Sequence, residues 1–249
     1  MRRREPTFYI GDGRLGPRLK WMLGGLVALL FLLAGLDAWL VAAMQPPAGS
    51  GMKAHKAREY IGTLTRDPYP MLRVKTAEGF KTYLLAAADR RGADVALGVT
   101  PSGPVKFSGY EITRAGLSLI ELAPNDVAVI SETPTIAEPA RELHGSATFT
   151  GEIVDAKCWL GAMRPGEGHV HAGCASLCLL GGIPPLFVVR DERGGVSSLM
   201  LLTQADGSAV PPDLIIPFVG EAVRVSGTVE KRGDLLVLKA DLPTLTPSP

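Results

Sequence analysis

From Trp21 to Met44 every position except Asp37 is apolar or glycine. An unbroken run of this length predicts a membrane-crossing helix. Trp21 and Trp39 stand 18 residues apart, about 27 Å of helix, which puts an aromatic ring at each boundary of the hydrocarbon. Asp37 fits the outer interface as a solvated acid better than an intramembrane functional group. After residue 60 the pattern changes to short runs of β-forming residues punctuated by glycine and proline, which predicts a turn-rich β protein.

Those β runs recur. Val105–Leu119 (VKFSGYEITRAGLSL) aligns without a gap on Val223–Val237 (VRVSGTVEKRGDLLV) at an offset of 118. Each is a strand with an internal, bulge-prone glycine, a charged turn and a second strand. Upstream, Pro70-Met-Leu-Arg-Val with Gly79 matches Pro185-Leu-Phe-Val-Val with Gly194 at an offset of 115, and Tyr60-Ile-Gly-Thr-Leu matches Phe149-Thr-Gly-Glu-Ile at an offset of 89. The jump of 26 residues between these offsets places an insertion in the second unit, inside an internal duplication. Chance likeness between short hairpins is the competing reading.

Five or so strands per unit, with Pro212–Pro217 breaking the pattern before the last hairpin, predict small barrels of the OB type; a β-sandwich is the alternative. The expected fold is mostly β: an N-terminal transmembrane helix, then two tandem OB-like barrels, the second with a helical Cys/His insertion. The expected boundaries are a cytoplasmic basic tail at 1–20, the span at 21–44, a linker at 45–59, a first barrel at 60–136, a linker at 137–146 and a second barrel at 147–244 carrying the insertion at 157–184. Lys53–Glu59 reads as a short helix or as part of the spacer. The proline- and acid-rich stretch Ser131–Leu143 separates the units.

Charge sets the topology. Residues 1–20 carry six basic side chains against two acids, so the N-terminus is expected in the cytoplasm of a bacterial cell. The barrels would then lie in the periplasm, on a single-pass anchor in the inner membrane. A signal peptide cleaved near Ala42-Ala43 competes, although the apolar run is long for one. The net charge is +1 with 20% charged residues and 6% aromatics, which offers neither the basic groove nor the stacking rings of a nucleic-acid binder. The expected partners are the membrane and another membrane or periplasmic protein.

The insertion concentrates the chemistry. It holds all three cysteines (Cys158, Cys174, Cys178) and two of the four histidines (His169, His171). Residues from about His171 to Leu180 predict a short helix stopped by Gly181-Gly182 and Pro184-Pro185. On it His171, Cys174 and Cys178 form one stripe, and Cys158 can double back through Pro165, Gly166 and Gly168 to meet them. Cys158, His171, Cys174 and Cys178 form a Cys3His set suited to zinc, and with Met163 nearby the set also suits copper. A structural disulfide from Cys158 to Cys174 or Cys178 is the alternative. A third reading is thiol–disulfide chemistry at Cys174 and Cys178, weakened because the sequence places no acid to orient His171 and no visible substrate pocket.

The run from Lys157 through Cys158, Met163, His171, Cys174 and Cys178 to Gly181-Gly-Ile-Pro-Pro185 resembles a segment of uncharacterised bacterial membrane-associated proteins. That resemblance implies that His171 rather than His169 belongs with the cysteines. A looser resemblance is to the haem chaperones of cytochrome maturation, which are single-span anchored OB barrels. Their haem-attaching histidine has no counterpart, since no histidine follows His171. The expected role is a non-catalytic metal-binding or assembly subunit of a membrane-associated redox system.

Overall fold

The computed structural model describes residues 16–44, 51–130 and 134–248. Most of the basic tail and the first part of the spacer lie outside them. Helix α1 spans Pro17–Met44, starting four residues before Trp21 with proline in its first turn, where a missing N–H costs nothing. It is long and apolar enough to cross a membrane as an anchor, and equally to serve as a signal sequence.

The remainder is two closed five-stranded barrels. The first uses β2 (Arg58–Thr65), β3 (Met71–Thr76), β4 (Gly79–Ala86), β5 (Gly103–Arg114) and β6 (Leu117–Val129), with a two-residue strand, β1 (Met52–Lys53), added on β5. The second uses β7 (Arg141–Asp155), β8 (Pro185–Arg190), β9 (Val196–Gln204), β10 (Ala222–Arg232) and β11 (Leu235–Pro247). In both, the first strand pairs with the second and fourth, the third pairs with the second and, in parallel, with the fifth, and the last two form a hairpin. This is the OB strand order. Short helices α2 (Asp94–Leu97) and α4 (Pro212–Ile215) precede the fourth strands.

The registers coincide residue for residue. Tyr60 faces Phe107 and Phe149 faces Val225; Leu84 faces Leu119 and Leu201 faces Val237. The hairpin strands are bulged at Phe107/Gly109 and Arg224/Ser226. A Cβ on Gly109 would lie 2.7 Å from the Glu121 carbonyl oxygen, and one on Gly227 2.6 Å from that of Lys239. The strand glycines therefore answer a close backbone approach beside each bulge.

Three expected boundaries move. Strand β7 begins at Arg141, inside the stretch expected as a linker. Its first half is exposed and polar, and only pairing to β10 makes it a strand. Strand β11 runs on to Pro247. Lys53–Glu59 holds the end of β1 and the start of β2 and contains no helix.

Each barrel fills its own interior, around Leu72, Leu85 and Phe107 in the first and Phe187, Met200 and Leu238 in the second. A third core lies between the barrels and joins Met71, Leu84 and Leu119 to Leu186, Leu201 and Val237. Equivalent strands thus meet face to face. Their side chains alternate between barrel interior and shared core, so both faces are apolar and the strands read as continuous hydrophobic runs.

A buried ion pair locks this junction. Lys157, 5% exposed at the side chain, donates from Nζ to the carbonyls of Ala87 and Asp89 and to Glu121 Oε2, each at 2.7 Å. Lys53 holds the other oxygen of Glu121 at 2.7 Å. Burial by itself would raise the Glu121 pKa, but the hydrogen bonds from Lys157 and Lys53 outweigh it and hold the carboxyl below the usual range. The resulting stability is present above the ordinary carboxylate range and is lost as pH falls through the depressed value. Glu121→Gln is expected to cost about 3–5 kcal/mol near neutral pH, because it strands the Lys157 ammonium in the core. Denaturant titrations at several pH values check this: the variant should lose part of the acid limb of the stability curve.

Candidate metal centre

The connection between the first two strands spans Arg66–Pro70 in the first barrel and Ala156–Pro184 in the second. The longer one carries every cysteine. It opens with a π-helical turn, Cys158–Ala162, continues through a loop to a 3-10 turn, His169–His171, and enters helix α3 (Ala172–Leu180). Helix α3 buries Ala175, Cys178 and Leu179, so Cys178 faces the core. The helix stops where Gly182, at φ +90°, donates its N–H to the Leu179 carbonyl.

The start of the insertion is shaped by Asp155, the last residue of β7. Its side chain is fully buried, and Oδ1 accepts the Cys158 N–H at 2.8 Å, which turns the chain. Oδ2 lies 3.3 Å from His171 Nε2. The loop is stapled by Glu167, whose Oε2 accepts Trp159 Nε1 at 2.7 Å and Arg190 at 2.6 Å. Arg114 of the first barrel lies 4.0 Å from the Trp159 ring centroid and donates to the Trp159 carbonyl. Trp159 is thereby fixed beside Cys158.

Helix α3 also touches the first barrel through backbone. Gly92 donates to the Gly181 carbonyl at 2.7 Å, and a Cβ on Gly181 would collide with the Arg90 carbonyl oxygen. Beyond stopping the helix, as expected, Gly181-Gly182 lets a strand connection of the other barrel lie directly against it. This brings Arg90 to the cluster.

The expected donors converge on Cys158. One ligand atom from each of Cys158, His171 and Cys174 lies within 4.8 Å of the others, and the same holds for Asp155, Cys158 and Cys178. The Cys158 and Cys178 sulfurs are 3.9 Å apart. That is near the spacing of two thiolates on one zinc ion and far from the ~2.05 Å of a disulfide; all three cysteines are free thiols. His171 is 4% exposed, whereas His169 is exposed and outside both groups. The four expected residues do not form one closed set, since Cys178 groups with Asp155 instead of His171 and Cys174.

Electrostatics follows from burial and pairing. The Cys158 thiol is pushed far above its usual range, first by its hydrogen bond with Cys178 and then by burial. His171 is raised to about 9, first by the Asp155 hydrogen bond and then by Cys158. Cys174 stands at the edge of the cluster, 3.5 Å from Arg90 Nε and 3.6 Å from the Met163 sulfur. The expectation that no acid orients His171 is overturned, because Asp155 does so, as carboxylates behind metal-binding histidines commonly do. Asp155 had one sequence signal, its position three residues before Cys158; Arg90 had none.

A cavity of about 240 Å³ is lined by Tyr69, Leu179, Ile183, Val210 and Ile215, and none of the cluster's donors line it. The cluster as built can hold a metal ion. Its integrity depends on the two barrels staying docked. Gly181→Ala is expected to destabilise the protein by about 1–3 kcal/mol through the clash with Arg90. Gly173→Ala, at an exposed helical position with nothing within 4 Å of the added Cβ, should be neutral or stabilising by up to ~1 kcal/mol. Chemical denaturation of the two variants side by side checks the contrast. No family model matches this chain, and no curated protein matches it.

Proposed function

We propose that the protein is a membrane-anchored, extracytoplasmic metal-binding or assembly subunit of a membrane-associated redox system, without catalytic activity of its own. The observation that carries this is the buried Cys158, whose sulfur belongs to both donor groups and is walled in by Trp159 and α3. Soft thiolates beside imidazole are the ligands of thiophilic ions such as zinc and copper. An Asp155 carboxylate behind His171 is the expected support for such a ligand. The shared strand order and registers of the two barrels support reading them as two copies of one unit, the second of which acquired the site. The basic N-terminal flank supports periplasmic barrels, where the site would exchange metal with a membrane or periplasmic partner.

Thiol–disulfide exchange is the second reading, favoured by the 3.9 Å approach of Cys158 to Cys178. It would use that pair in place of Cys174 with Cys178. Cys178 is 1% and Cys158 6% exposed, so an incoming thiol has no direct line to either.

The full chain, purified in detergent without oxygen, is expected to carry one metal ion by native mass spectrometry. At least two of its three thiols should react with a thiol reagent only after a chelator is added. Three freely reactive thiols, or a disulfide with a potential in the exchangeable range, would overturn the metal reading. For topology, a reporter fused after Pro249 should be active only outside the cytoplasm.

A further inference from the structure

Four sulfurs form a line from the core to the surface. Cys178 and Cys158 are 1% and 6% exposed, Cys174 is half-buried, and Met163 is 44% exposed. Cys178 and Cys158 are 3.9 Å apart, Cys158 and Cys174 are within 4.8 Å, and Cys174 and Met163 are 3.6 Å apart. The outer end is built and held. Glu167, four residues after Met163, is gripped by Trp159 and Arg190, and Gly168 donates to Glu152 at 2.6 Å.

Two features of this line discriminate between metals. The first is coordination number. The donors fall into two groups of three that share Cys158, and Cys174 and Cys178 are never in the same group. A closed zinc site needs four donors around one point. Monovalent copper, a d10 ion, is content with two or three soft donors. The second is the thioether. A neutral sulfur is a good ligand for Cu(I) and a poor one for Zn(II), which prefers thiolate, imidazole or carboxylate. Met163 adds nothing to a zinc site but continues a copper path by one step to solvent.

We propose that this cluster binds Cu(I), with Met163 as the outermost ligand through which the ion enters and leaves. The inference rests on the metal-binding reading above and names its ion and its port. The ion is handed inward by ligand exchange, from the Met163–Cys174 sulfurs to Cys174–Cys158 and then to Cys158–Cys178. No electron is transferred at any step. Each thiol that ligates gives up its proton, and Cys174 takes one back when the ion passes on to Cys158 and Cys178. Arg90 lies against Cys174, where a cuprous site with two or more thiolates carries net negative charge, and its guanidinium offsets part of that charge. The first barrel thus contributes to the port without contributing a ligand.

The test uses the full chain in detergent under anaerobic conditions, wild type and Met163→Leu, with helicity and thermal unfolding compared to confirm equal folding. Cu(I) is supplied from its bicinchoninate complex, and Zn(II) from a chromophoric chelator. Wild type should take Cu(I) from bicinchoninate. Met163→Leu should slow Cu(I) transfer from bicinchoninate, and its return, ~10-fold, the scale of losing one supporting partner at a metal site, and leave Zn(II) affinity within twofold. Copper-edge absorption should show the same sulfur count in both proteins once the ion has settled on the inner cysteines. Equal transfer rates in the two proteins would overturn the Met163 port. Zn(II) binding without Cu(I) binding would overturn the copper assignment while leaving a metal site in place. Failure of both ions to bind would remove the metal-binding reading as well.

Discussion

The buried ammonium of Lys157 is the contact on which the arrangement depends. It sits one residue before Cys158, at the root of the insertion, and its three hydrogen bonds all go to the first barrel. A charge so enclosed is tolerated only when every donor is used, so the geometry around it is narrowly specified. Two of its acceptors are the carbonyls of Ala87 and Asp89, which anchor the connection that carries Arg90. Fixing Lys157 therefore fixes both Cys158 and the loop of the other barrel that reaches the cluster.

The shared core makes that contact possible. An OB barrel alone exposes the outer faces of its strands, and here β3, β4 and β6 cover β8, β9 and β11 with matching apolar positions. The first barrel has no cysteine and a minimal first connection. Its role is to bury the second barrel's insertion from one side, with Leu84 and Leu119 in the same core as Cys158 and Cys178. A thiol in such surroundings is shielded from attack by an incoming thiol.

The cluster joins two environments. Asp155, Cys158 and Cys178 are enclosed, while Cys174 and Met163 approach the surface. Beside them α3 leaves Leu177 and Leu180 exposed. The cluster thus has a sealed inner end and an open outer end. Rigidity comes from the clamp of Glu167, Trp159, Arg114 and Arg190, which fixes the loop without occupying the donors.

Much of this was legible in the sequence. The apolar run announced the helix because a backbone so long, flanked only by apolar side chains, must satisfy its own hydrogen bonds. The offsets of 118, 115 and 89 between the two units identified equivalent strands, because period-two patterns and strand glycines are imposed locally. The grouping of Cys158, His171, Cys174 and Cys178 in one insertion was visible for the same reason: a helix stripe and a flexible loop are short-range facts. Tertiary structure alone decided the rest. Asp155 took no part in the sequence reading, and burial gave it Cys158 and His171 as partners. Arg90, Lys157 and Gly181 acquired their roles from the docking of the barrels, contacts between residues about 70 or more positions apart. The early half of β7 became a strand only by pairing with β10. Local sequence carries periodicity and turn chemistry, but which polar atoms share a buried space depends on packing between distant segments, and no window of the chain contains both.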